Sequence, residues 1–324
     1  MNRRHFIASG VGAVALATAT WPYRANAGLQ SKPLSDRICL FTDHLDDHGF
    51  SYAEVARMLK DLGVAGPDLT VRPGGLVAPE RAAEDLPRAA EALREHGLSI
   101  PMISTSITSA GDRVARPILA TMAKLGVRYF KLGYYSYADA DKWRSRLAEV
   151  RRELDGLVGL LDELGVQAGV HNHAGPTVGG ALWDSWEVLQ GTNPRSIGFY
   201  FDPAQATIEG GNHAWSLGFR RLSDRLKMVA IKDFVWEKVA GRWRTRWVPL
   251  GEGMVRWDEF FALLVRVPFD GPISLHIEYD PGGSTKTARY DNSLAAAQRD
   301  LKFLREHLAK AGESTPQKPN GVDL

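Results

Sequence analysis

The sequence predicts an α/β chain closed into a single-domain (β/α)₈ barrel, and three observations carry that prediction. Eight short apolar, β-rich runs alternate with eight helical patterns along the chain. The runs are apolar on both faces, as strands of a parallel sheet covered by helices must be. No interior linker rich in Pro, Ser or charge interrupts the alternation. The strand runs are 38–42, 67–71, 99–104, 127–132, 166–171, 197–201, 227–232 and 273–278, and the helical patterns are 51–63, 79–96, 112–125, 139–164, 183–190, 214–224, 257–265 and 290–310. Glycine closes three of those helices, at Leu62-Gly63, Leu125-Gly126 and Leu164-Gly165, each just before a valine that opens the next strand. A doubly wound open sheet is the rival arrangement of the same alternation. After the seventh strand, two aromatic-rich alternating stretches within 234–247 flank Ala240-Gly241 and predict an inserted β-hairpin. Its Trp236, Trp243 and Trp247 offer flat faces for sugar stacking, or pack against the barrel rim as buried tryptophans do.

The ends of the chain read differently. Asn2-Arg3-Arg4-His5-Phe6-Ile7, an apolar run over 11–19 and Ala25-Asn26-Ala27 resemble a twin-arginine export signal with its cleavage site. The apolar run is too short to span a bilayer comfortably, so it reads as removed, leaving no stable membrane anchor. The expected organisation is a signal at 1–27, a barrel at 28–311 and a disordered polar tail at 312–324, with the mature protein in the periplasm. Of 40 basic and 38 acidic residues the leader holds Arg3, Arg4 and Arg24 and no acid, so the mature chain keeps 37 basic against 38 acidic, a net charge of −1. A near-neutral chain lacks the electrostatic footprint of a nucleic-acid binder. Cys39 is the only cysteine, which excludes internal disulfides and cysteine zinc sites; any metal must be held by His, Asp or Glu.

In such a barrel the chemistry sits at the C-terminal ends of the strands. Those ends are polar here: His171-Asn172-His173 after the fifth run, Asp202-Pro203 after the sixth, Lys232-Asp233 after the seventh, and His276 and Glu278 in the eighth. Alternation puts His171 with His173 and His276 with Glu278 on shared faces. A strand-end histidine also serves simply to bond a backbone carbonyl, and Asp-Pro is a plain turn signal. Glu278 on an apolar strand must be paired, metal-bound or shifted in pKa, because an isolated buried charge costs several kcal/mol. Lys232 is the candidate pairing charge, serving as a salt bridge or as a catalytic lysine.

Taken together, Asp68-Leu69-Thr70-Val71-Arg72-Pro73-Gly74-Gly75, His171-Asn172-His173, Asp202-Pro203, Ile231-Lys232-Asp233, Pro249-Leu250-Gly251-Glu252-Gly253 and Ile277-Glu278-Tyr279 resemble the sugar phosphate isomerase/epimerase family of xylose isomerase-like TIM barrels. The resemblance covers nearly the whole mature chain. It implies a divalent metal held by two Glu, one Asp and one His, and proton removal next to a carbonyl, by an isomerase, epimerase or lyase. It places Asp202 and Glu278 at two ligand positions, but puts Ala230 where a histidine is expected and Gly179 where a glutamate often stands. The ligand chemistry therefore leaves a rebuilt site of Asp202, Glu278 and His173, with His171 or His276 as further donors, open to Mn, Co, Zn or Mg; no nucleotide cofactor is expected. Glu278, His171, His173 and Lys232 are the catalytic candidates, and Arg72, Lys131, Asn172, Trp236 and His276 the substrate-binding ones. Glu252 reads as a rim residue in a glycine-rich loop. The expected substrate is a free sugar, keto-sugar or cyclitol. A non-catalytic carbohydrate-binding barrel is the alternative, phosphodiester cleavage is opposed by the neutral charge, and a homo-oligomer is left open.

Overall fold

The computed structural model describes residues 33–46 and 48–313. The expected export signal and most of the expected tail lie outside the described residues. Eight parallel strands close into a barrel: β1 (Ile38–Phe41), β2 (Pro67–Val71), β3 (Met102–Thr105), β4 (Tyr129–Lys131), β5 (Gln167–His171), β6 (Ile197–Phe201), β7 (Leu226–Ile231) and, closing against β1, β10 (Ile273–Leu275). The hairpin of β8 (Asp233–Val239) and β9 (Arg242–Val248) forms a separate two-stranded antiparallel sheet directly after β7. Its turn residues Ala240 and Gly241 have φ of 48° and 81°, both in the left-handed region that a tight two-residue hairpin requires.

The helices cover the outside of the barrel: α1 (Tyr52–Leu62), α2 (Ala82–Glu95), α3 (Ala115–Lys124), α4 (Trp143–Leu164), α5 (Leu182–Leu189), α6 (Pro203–Leu222), α7 (Trp257–Leu264) and α8 (Lys286–Glu313). Ser51 and Glu54 form a reciprocal capping box at the start of α1, and Gly63 ends it at φ 61°. Strand residues pointing outward join one continuous apolar core with the helices. A smaller cluster inside the barrel contains Cys39, Met102, Tyr129, Tyr200, Met228 and Ala230.

The sixth helix departs from expectation, beginning at Pro203, eleven residues before the pattern read from the sequence. Asp202 is its N-cap, accepting the Gln205 amide at 3.0 Å, and Pro203 takes the first helical position, where no amide is needed. The Asp-Pro pair is thus a helix start. Gly211, at φ 60° and ψ −153°, kinks α6, which is why the helical period was legible only beyond it. The glycine-rich loop after β9 is organised by Asp233, whose carboxylate accepts the amides of Gly251, Gly253 and Val255 and the Trp257 indole at 2.8 Å. A Cβ on Gly253 would lie 2.0 Å from that carboxylate, so only glycine fits there.

Candidate active site

The polar strand ends converge at the C-terminal mouth of the barrel. Lys232 follows β7 directly, is 3% exposed, and places its Nζ 2.8 Å from Glu278 Oε1 and 3.2 Å from Asp202 Oδ2. An ammonium has three donors, so these two contacts leave one for another acceptor. Burial opposes the lysine's charge, but Asp202 and then Glu278 outweigh it and hold the ammonium above its ordinary value. Burial likewise opposes ionisation of Asp202, yet Lys232 and His171 bring its pKa down to about 2. Glu278 follows the same balance: against its own desolvation, Lys232 and His276 keep it well below the usual carboxylate range. The cluster is therefore two carboxylates bridged by one cation.

Each carboxylate is further oriented by a histidine. His171, at the end of β5, sets Nε2 3.3 Å from Asp202 Oδ2 and Nδ1 3.1 Å from the Tyr134 hydroxyl. With Asp202 ionised, the partners assign the ring proton to Nε2, and the Tyr134 hydroxyl donates to Nδ1. Burial pushes the His171 pKa down to about 3, so the ring is neutral at pH 7. His276 sets Nδ1 3.3 Å from Glu278 Oε1 and Nε2 3.0 Å from the Tyr200 hydroxyl. That hydroxyl reaches Asp68 inside the barrel, whose carboxylate also accepts from Ser104 and Ser274, each at 2.8 Å.

His173 differs from the other two histidines. It is half-buried at the mouth, its ring 4.7 Å from that of Tyr134 and 6.4 Å from that of His171. Its Nδ1–H donates to the Ala174 carbonyl at 2.9 Å, which leaves Nε2 as a lone pair with no protein partner among the described residues. Burial, and then Lys232, lower its pKa, so this lone pair is present at neutral pH.

Several expected site residues take other roles. Asn172, expected to touch substrate, is fully buried, with its Nδ2 on the Asp202 carbonyl at 2.9 Å and its Oδ1 on the Asp202 amide at 2.8 Å. It clamps β5 to the start of α6. His276, also expected at substrate, is buried and has both ring nitrogens engaged, Nδ1 with Glu278 and Nε2 with the Tyr200 hydroxyl. Arg72 is tied to Asp43 and Asp46 beside β2. Lys131 donates to the Leu132 carbonyl at 2.8 Å with its Nζ 3.7 Å from the Tyr134 ring centre; burial, then Arg72, bring its pKa down to about 7. Trp236 lies on the hairpin, edge-on to Phe234. Tyr134, Tyr200 and Asp68 escaped sequence reasoning as site residues. Tyr134 sits in the loop just after Lys131, and Asp68 within a motif already noted, but nothing in their spacing ties either to a histidine.

The residues present do not fit a divalent metal. The expected set of Asp202, Glu278 and His173 has an ammonium between its two carboxylates, so an ion there would meet Lys232 at contact distance. Among the described residues no three His, Cys, Asp or Glu side chains are grouped to hold one. The two missing ligands have structural reasons. Gly179 has φ 103°, and a Cβ there would lie 3.2 Å from Ser185 Oγ and 3.3 Å from Asn172 Cα. Ala230 is fully buried in the inner cluster with Tyr200, the residue whose hydroxyl engages His276.

A closed parallel barrel with a polar cluster at its strand ends defines the class of eight-stranded barrels that carry their site at the C-terminal mouth. Residues 56–307 match the family described as xylose isomerase-like TIM barrel, and the chain belongs to that family. Among solved structures it is similar to a xylose isomerase-like TIM barrel protein from Mycobacterium smegmatis in complex with magnesium, at 14% identity and TM-score 0.63 over 85% of this chain and 97% of that one. It is also similar to a D-allulose 3-epimerase from Methylomonas sp., at 16% and 0.63 over 84% and 98%. A third is the 3-keto-D-glucoside 4-epimerase from E. coli, at 15% and 0.62 over 83% and 99%. No curated protein matches.

Proposed function

We propose that this protein is an enzyme that removes the proton next to the carbonyl of a sugar, keto-sugar or cyclitol, opening isomerisation, epimerisation or β-elimination. The observation that carries the reading is the pairing, at one barrel mouth, of a neutral imidazole with an unengaged Nε2 and a permanently charged ammonium with a donor to spare. His173 Nε2 takes the proton from carbon and becomes an imidazolium. The C–H electron pair moves into the new C=C bond, and the carbonyl pair moves onto oxygen. Lys232 stabilises that enediolate oxygen as a preformed cation in a water-poor site. Glu278, too weak a base once paired with Lys232, fixes the ammonium together with Asp202, and His171 and His276 orient the two carboxylates. Return of the proton from His173 to the neighbouring carbon gives isomerisation, protonation of the original carbon on its opposite face by solvent or another acid gives epimerisation, and loss of a β substituent gives elimination. The sugar epimerases of the same fold favour this chemistry over other uses of a barrel.

The test is solvent deuterium uptake at the carbon next to the carbonyl, by NMR, over a panel of free keto-sugars, 3-keto-glucosides and keto-cyclitols. Wild type should exchange at least one of them, and His173→Gln should lose exchange while keeping its circular dichroism. Absence of exchange across the panel would sink the reading. We propose further that the mature protein is periplasmic, a location that fits non-phosphorylated substrates; cell fractionation with the Arg3 and Arg4 pair changed to lysines tests it by retention in the cytoplasm.

A further inference from the structure

The hairpin of β8 and β9 carries the inference. Directly paired residues on antiparallel strands share a face, and the register pairs Phe234 with Trp247, Trp236 with Thr245, and Lys238 with Trp243. All three tryptophans therefore stand on one face, with Phe234 at its base. The opposite face carries Arg242, Arg244 and Arg246, the last paired with Glu237 at 2.6 Å. The aromatic face begins at the reaction centre, since the Lys232 ammonium lies 4.6 Å from the centre of the Trp247 ring. From there it runs outward, with Phe234 edge-on to both Trp247 and Trp236. Its burial decreases in the same direction: Trp247 is half-buried, Trp236 is 39% exposed and Trp243 is 64% exposed.

Indoles packed as rim support would be covered, and these progressively are not. A row of exposed tryptophans leading away from a charged centre loses apolar burial unless a ligand supplies it. Trp243 and Trp247 are four positions apart on β9, a span of about 13 Å at strand rise, which exceeds a single sugar ring. The face offers three flat apolar surfaces with one cation, Lys238, beside Trp243, which suits a neutral pyranose chain whose ring faces present C–H groups and whose hydroxyls accept from the ammonium. Indoles spaced along an extended strand suit an extended β-1,4-linked chain better than a coiling α-linked one.

We propose that the hairpin's aromatic face is an extended subsite for a β-linked oligosaccharide or glycoside, with the reacting ring at Lys232 and Trp247 and the following rings on Trp236 and Trp243. This rests on the proposed carbohydrate chemistry for the identity of the ligand, but its test reads binding and needs no turnover. The mature chain is titrated with glucose, cellobiose, cellotetraose and maltotetraose by calorimetry and by tryptophan fluorescence. Cellotetraose should bind roughly tenfold or more tighter than glucose, and Trp243→Ala should weaken cellotetraose by about the same factor, with glucose affinity as the internal comparison. Trp243 is exposed, so its replacement leaves the fold intact, which circular dichroism checks. Binding of cellotetraose without deuterium exchange in any sugar would keep the subsite and overturn the enolisation chemistry. Equal affinity of wild type and Trp243→Ala for cellotetraose, no response to any of the four sugars, preference for maltotetraose, or a wild-type dimer that Trp243→Ala turns into monomer with sugar affinity unchanged would each overturn the subsite.

Discussion

Replacing Lys232 with methionine keeps an unbranched side chain one atom shorter and removes its charge, leaving Asp202 and Glu278 facing each other without a cation. At an effective dielectric near 20, each contact at about 3 Å is worth roughly 5 kcal/mol before solvation is counted. The net cost of breaking a buried pair is about 3–5 kcal/mol. Asp202 keeps the His171 ring and the Gln205 amide, and Glu278 keeps His276, so the low end applies. Urea denaturation at pH 7 should therefore show a loss of about 3 kcal/mol, which a domain of ordinary stability survives. The pH dependence supplies the sharper signature. With no ammonium, burial and mutual repulsion lift both carboxylates above their unfolded values, so the folded variant binds protons that the unfolded chain does not. That gain opposes the loss from the buried histidines, so the variant's stability falls less steeply than wild type's as pH drops from 7 toward 5. The variant also leaves two carboxylates and the His171 imidazole around one space, and Zn²⁺ should raise its denaturation midpoint while leaving wild type unmoved. A loss under about 1 kcal/mol, or Zn²⁺ stabilising wild type equally, would refute the view that Lys232 is the cation of this site.

Other consequences follow from the same geometry. Asn172→Ala strands the buried amide of Asp202, whose carbonyl keeps the Ala206 amide, and should cost about 2 kcal/mol by denaturant melting. Ala230→His forces a ring into the space Tyr200 fills, so it should destabilise by about 2 kcal/mol and gain no metal by elemental analysis. Wild type should lose stability in acid: His171 has a folded pKa of about 3 against an ordinary 6.5, so between those values the unfolded chain binds a proton the folded one refuses. That removes about 1.4 kcal/mol per pH unit as pH falls through the window. His44, held near 3 by burial, contributes an equal slope, so His171→Gln should remove about 1.4 kcal/mol per pH unit and leave the His44 share in place. Asp202 adds its own loss below pH 3.8, as pH falls toward about 2.

The barrel was legible because its signals are local: apolar runs of strand length, and glycines that must adopt positive φ where helices end, as at Gly63 and Gly165. Pro67–Val71 and Ile197–Phe201 match their sequence bounds without adjustment. β10 ends at Leu275, earlier than its apolar run, because only one further backbone bond, from His276 to Ile231, extends the ladder. The start of α6 was hidden because Asp-Pro serves equally as turn and as helix cap, and only the Gln205 amide decides. Of the candidate site, the polar residues that converge were visible at the strand ends, whereas their division of labour was not. Whether His173 or Glu278 is the base depends on which group Lys232 reaches in space, 46 residues along the chain from Lys232 in the case of Glu278. Tyr200 and Asp68 were invisible as site residues because their link to His276 crosses the barrel interior between non-neighbouring strands.

The most direct test of the central claim is deuterium exchange by metal-stripped protein, assayed in chelator on whichever keto-sugar the panel shows to react. A lysine-centred site predicts that exchange persists without metal and disappears in Lys232→Met. Exchange that vanishes on stripping and returns only with added Mn²⁺, Co²⁺ or Zn²⁺ would contradict the account.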